Sequence, residues 1–255
     1  MLYIRSLMDT IINPIDELFS LEKRSVNRLR SKRMAAVEAR QARTVDTRNR
    51  LMRAMEKLSA EKGSENVSVK ELIEEAGQKN ESVLQYHFGS KAGLLAAIHK
   101  ARFTQTQVKR REMLADFLAK NASPSVRDLC HLMVEPTFQL CRSDTGHRQW
   151  VKAWGAKNAA LVHPSLEEEA IDEGNSVQII KNLCKSSLPH LDDKMFENRC
   201  LNVIRFSNLS MSNQAREKSG FSGRKAEFFL SNLVDLLVGM FTAEVSYETE
   251  LNLKK

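Results

Sequence analysis

The chain has 255 residues, 42% of them hydrophobic, which is enough to bury a sizeable core and to hold a small domain beside a larger one. Its formal charge of +7 is lopsided. Residues 1–110 carry 21 Lys and Arg against 13 Asp and Glu, while residues 111–255 carry 18 against 19, so the whole excess sits in the first part and suits a polyanionic partner there. No P-loop, dinucleotide fingerprint, HExxH or nucleophile elbow occurs, which leaves no catalytic residue, cofactor or metal to expect.

Residues 1–21 are fairly apolar but are interrupted by Arg5, Asp9, Pro14, Asp16 and Glu17, so they do not make a secretory signal, and a cytoplasmic location is expected. From Lys23 onward the chain turns basic, with Arg24, Arg28, Arg30, Lys32, Arg33, Arg40, Arg43, Arg48 and Arg50. Such an arm can enter a minor groove or lie along phosphates, and it can equally be a solvated charged helix. Arg43, Arg48 and Arg50, close to the first helix, are the better candidates for contact. Met34 is an alternative start to Met1.

A helical pattern over 48–62 closes at Gly63. A second helix starts at Val69, because Ser68 and Glu71 have the spacing of a capping box, and Leu72, Ile73 and Ala76 form its buried side before Gly77 ends it. A third helix begins with Asn80 as N-cap, or with Ser82 as the competing cap, and runs through Phe88. Leu84 and Phe88 face a small core, whereas Ser82, Gln85 and Tyr86 share another, polar face. Three short helices with glycine stops make a helix-turn-helix unit, whose third helix fits a major groove. Gln85 suits bidentate pairing with adenine, and His87 and Lys91 lie where they can hold phosphates.

With SVLQYHFGSKAGLL at 82–95 in place, the segment from about Arg48 to Arg102 resembles the DNA-binding domain of the TetR-like transcriptional regulators. In that family helix three commonly reads Leu-Tyr-any-His-Phe and is followed by a loop, a Lys and a Leu-rich helix four. Leu84, His87, Phe88, Lys91, Leu94 and Leu95 stand in those places. Gln85 replaces the usual backbone-contacting tyrosine, and the turn from Gly77 to Asn80 is one residue longer than the common form. The resemblance implies that Ser68 and Lys70 contact phosphate and that Asn80, Glu81, Ser82, Gln85 and Tyr86 carry the reading face. It also implies a helix four, here about Ala92 to Gln107, that joins the DNA-binding domain to a helical ligand-binding domain.

The remaining chain reads as helical nearly throughout. Ser123-Pro124 opens a helix towards Arg142, and Asp144 to Gly146 separates it from one holding Trp150 and Trp154. His163-Pro164 opens another, Leu188-Pro189 marks a break, and two helices over about 192–215 and 223–247 finish the chain as antiparallel neighbours. The expected fold is therefore all-α: a basic extension over 1–45, a three-helix helix-turn-helix domain over 46–109, and a helical bundle over 110–255. His163 and Glu167 are spaced as a metal pair, but they fit an ordinary acidic helix start better. Cys130, Cys141, Cys184 and Cys200 match no CxxC or zinc-finger spacing and read as buried, reduced thiols.

Two sets of helical-domain residues follow from composition and from the resemblance together. His131, Phe138, Cys141, Trp150 and Trp154 are candidates to line an effector pocket. The last helix is apolar on most sides, and a two-fold interface through Phe229, Leu233, Leu237, Met240 and Phe241 accounts for that breadth without a membrane. The function expected is a dimeric, ligand-responsive regulator of transcription, a repressor on a palindromic operator, with double-stranded DNA and a small-molecule effector as partners. The alternatives are an architectural or division-coupling DNA-binding protein of the same fold and, behind it, an enzyme in the helical domain.

Overall fold

The computed structural model describes residues 33–35, 37–121, 123–161 and 176–253. The arginines before position 33, the helix expected at His163-Pro164 and the His163/Glu167 pair lie outside the described residues. Two compact units divide the chain, Met1–Arg50 and Leu51–Lys255. In the first, residues 37–50 are helical and mostly exposed, and Arg50 pairs with Asp46 one turn back at 2.9 Å.

The second unit is all-α, with no strand among the described residues. It starts with α1 over 51–62, followed by α2 (Val69–Glu75), α3 (Ser82–Phe88) and α4 (Lys91–Lys120). The apolar faces of these helices meet in one core. Leu51, Met55, Leu72, Leu94 and Ile98 are fully buried, with Leu84 beside them, and each contributes about 1.5–3 kcal/mol by leaving water. Helix α4 is twice the expected length. Beyond Gly93 it meets no Gly or Pro before Asn121, so nothing stops it at Gln107, and its 30 residues reach about 45 Å.

The helical domain continues with α5 (Val126–Ser143), α6 (Thr145–Leu161), α7 (Ser176–Ser187), α8 (Asp193–Gln214), α9 (Gly223–Thr242) and α10 (Tyr247–Leu253). Helix α5 starts two residues later than Ser123-Pro124 suggested, because Ser125 and Asp128 form the reciprocal capping box. Helix α9 stops at Thr242 rather than near 247, since Ala243 turns to an extended ψ of 136°. Helix α6 packs along α8, α5 packs against α9, and α8 packs against α9. Their shared core holds Phe138, Phe221, Val203, Leu237 and Phe241. Cys130, Cys141, Cys184 and Cys200 are buried free thiols, and burial pushes Cys130 and Cys184 up to about 12, which keeps both protonated and unreactive at neutral pH. Among the described residues no single helix is long and apolar enough to cross a membrane.

Candidate nucleic-acid interface

Local chemistry fixes both ends of α2. The Ser68 hydroxyl accepts from the Glu71 backbone N–H at 3.2 Å, and the Glu71 carboxylate accepts from the Ser68 backbone N–H at 3.0 Å. Lys62 at 2.6 Å, with Ser68, holds the Glu71 carboxyl at about 2. The hydroxyl proton of Ser68 goes to Glu71 at 2.7 Å, so it is already committed, and a phosphate contact at this exposed position falls more readily to Lys70. Ser68→Ala should therefore cost about 0.5–2 kcal/mol of stability, read by urea unfolding. An unchanged midpoint would show that the Ser68 cap does not stabilise α2.

At the other end, the Gln78 N–H donates to the Ile73 carbonyl at 2.9 Å and the Gly77 N–H to Glu74 at 3.0 Å, the Schellman pattern, with Gly77 at φ 65°. The chain then crosses to α3 through an Asx turn, in which Asn80 Oδ1 accepts from the Ser82 N–H at 2.9 Å. Neither expected cap holds the N-cap position. It falls to Glu81, which is already helical and makes no side-chain cap, while Asn80 acts one residue earlier.

Helix α3 divides as its sequence indicates. Leu84 is buried and Phe88 packs half-buried on the core, while Asn80, Glu81, Ser82, Gln85 and Tyr86 are exposed, Tyr86 to 73%. His87 is half-buried, and its ring lies edge-on to that of Tyr86 at 4.8 Å. After Gly89, Ser90 caps α4 by accepting from the Gly93 N–H at 3.0 Å. Lys91 is not a free surface cation. Its ammonium donates to the Val67 carbonyl at 2.5 Å, tying the start of α4 to the entry of α2. In the first unit, Arg50 is exposed and shares its charge with Asp46, and Arg48 is half-buried.

The pocket candidates do not come together. Trp154 belongs to the helix-turn-helix core, whereas Phe138 and Cys141 are sealed in the helical-domain core. Trp150 touches both cores and donates through Nε1 to His99 Nδ1 at 3.2 Å, so that His99, whose pKa burial lowers, is an acceptor in its neutral form. His131 lies half-buried on α5 beside Glu135. The expected dimer stripe also needs correction: Leu233, Leu237 and Phe241 fill the chain's own core, with Phe229 and Met240 half-buried against it. The exposed apolar side chains here are Phe228 and Leu236 on α9 and Leu209 on α8.

Sequence reasoning also missed a buried ionic cluster behind the interface. Arg102 of α4 donates to Glu56 of α1 through Nε at 2.5 Å and Nη2 at 2.7 Å, and through Nη1 to Asp144, between α5 and α6, at 2.5 Å. Nη1 also reaches Gln105 at 2.9 Å. His147 is buried next to this group, and burial with the Arg102 charge lowers its pKa to about 4, so it is neutral at physiological pH. No short motif signals these contacts, because Glu56 and Arg102 are 46 positions apart.

No curated protein matches the chain. Residues 51–98 match the family model described as bacterial regulatory proteins, tetR family, and that span runs from the buried Leu51 to the buried Ile98 of α4. The matched segment is the same three-helix unit, with its exposed polar α3, that the structure builds, and the match supports a regulator similar to that family, with an N-terminal helix-turn-helix.

Proposed function

We propose that the chain represses transcription in the cytoplasm as a homodimer on a palindromic operator and is released by a small-molecule effector. The observation that carries this reading is the face of α3. Gln85, Tyr86 and Ser82 stand exposed together on a helix whose opposite side is locked into the core, and they lie in the basic part of the chain. Gln85 reads a base edge, with Asn80, Glu81, Ser82 and Tyr86 around it, while Lys70, His87, Arg48 and Arg50 serve phosphates. Phe228, Leu236 and Leu209 give α8 and α9 the exposed apolar side chains that a two-fold contact needs.

The test is selection of genomic fragments by the purified full chain at near-physiological salt. A few palindromic sites should be recovered, and salt-sensitive retention without sequence preference would instead favour an architectural role. On a recovered site, Gln85→Ala should cost about 1–3 kcal/mol and relax preference at one base position. Equal losses on operator and random DNA would remove Gln85 from base reading.

A further inference from the structure

Helix α4 buries two arginines about two turns apart, and their surroundings differ in one respect. Arg102 meets two carboxylates. Arg110, 9% exposed, meets neutral groups: Nε donates to the Leu132 carbonyl at 3.2 Å, Nη2 to the Met133 carbonyl at 3.3 Å, and Nη1 to Gln107 Oε1 at 3.4 Å. These are long contacts for N–H···O bonds, and they use three of the five N–H groups of a guanidinium. Among the described residues no carboxylate pairs with Arg110. Burial lowers its pKa to about 10, which leaves it a cation at neutral pH.

Part of this arrangement has a local cause. Pro136 interrupts α5 and has no N–H for the Leu132 carbonyl, so Arg110 supplies that donor. A neutral donor would do the same without the cost of a buried charge that no carboxylate among the described residues offsets. The polar surroundings extend further, since fully buried Ser176 of α7 donates to Gln107 Oε1. Between apolar Ile98 and Leu114, the inward side of α4 is Arg102, Thr106, Gln107 and Arg110. The neighbouring core is apolar, with Leu114, Leu129 and Leu132.

We propose that Arg110 anchors the effector's anionic group, and that the effector is a small organic acid whose carboxylate sits on Arg110 between α4, α5 and α7 with its apolar body in the surrounding core. The inference rests on the ligand-responsive reading above. It names the chemical class that this reading leaves open, and it makes Arg110 a recognition residue with no role in the fold that a neutral donor cannot fill.

Thermal unfolding of the full chain tests it without DNA, so a failure here and a failure to find an operator are separate results. The probes are hexanoate, benzoate and phenylacetate, each beside its primary amide, at matched ionic strength. At least one acid should raise the wild-type Tm by several degrees while its amide does not. Arg110→Gln, which keeps a donor for Leu132, should melt no lower than the wild type, and neither it nor Arg110→Met should show an acid-dependent shift. Equal shifts from acid and amide, or no shift from any acid, would overturn the proposal. So would an Arg110→Gln variant that melts well below the wild type, because the charge would then have a role in the fold that a neutral donor cannot fill.

Discussion

Arg102→Met should lower the stability of the second unit by about 3–5 kcal/mol at pH 8, because it leaves the Glu56 carboxylate buried without a partner. Glu56 is fully buried. Burial raises its pKa even with the guanidinium in place, against the opposing hydrogen bond and charge of Arg102. Asp144, more open to water, goes the other way: burial pushes it up, but the Arg102 charge and hydrogen bond together hold it below the usual range. Removing Arg102 removes the main influence that lowers Glu56, so its pKa in the folded state rises further above its unfolded value. A group raised on folding costs nothing below its unfolded pKa, and its charge becomes a burden as pH rises through the folded pKa. The loss in Arg102→Met should therefore be large at pH 8 and shrink towards pH 5, as read by urea unfolding. A loss of equal size at both values would show that the variant acts by lost packing alone. Adding Glu56→Gln should recover part of the stability at pH 8, since a pair removed whole costs less than a pair broken.

The cluster also explains what was legible in the sequence. Ser68 with Glu71 is a spacing of three, and the paired contacts lie within one helical turn, so the cap could be read before any fold was known. The same holds for Leu84 with Phe88, and for the exposure of Gln85 and Tyr86 one face away. These features depend on local geometry. Arg102 and Asp144 are 42 positions apart, and their meeting depends on how α4 passes the corner between α5 and α6. Trp154 shows the same limit in an apolar residue. Helical spacing indicated that it would be buried, but it gave no means of telling the helix-turn-helix core from the helical-domain core. Leu233, Leu237 and Phe241 fail as interface residues for that reason: a broad apolar helix can be covered by its own chain, and α5 and α8 cover α9.

Gly93→Ala is the second large effect expected, and it should appear in DNA binding more than in folding. Gly93 lies in the first turn of α4, where its N–H is taken by the Ser90 hydroxyl at 3.0 Å. A Cβ there would fall deep inside van der Waals contact with the carbonyl oxygen of Phe88, the last residue of α3. That oxygen belongs to the backbone, so the clash cannot be relieved by a rotamer change. The turn between α3 and α4, already tight with Gly89 at φ 72°, has to open. Overpacking of this kind costs about 1–3 kcal/mol, which a folded domain can absorb. The geometry of the reading face is less forgiving, because Gln85 and Tyr86 lie within one turn of the displaced end of α3, and bidentate base contacts depend on close placement. Operator affinity should fall by more than tenfold at a temperature where circular dichroism shows wild type and variant equally helical, with a smaller fall on random DNA, whose phosphate contacts tolerate a shift. Affinity within twofold of the wild type would mean that the α3–α4 turn does not set the position of the reading helix. If affinity is lost while helicity is kept, the lack of a side chain at position 93 is as much a part of the proposed DNA site as Gln85, although it never meets a base.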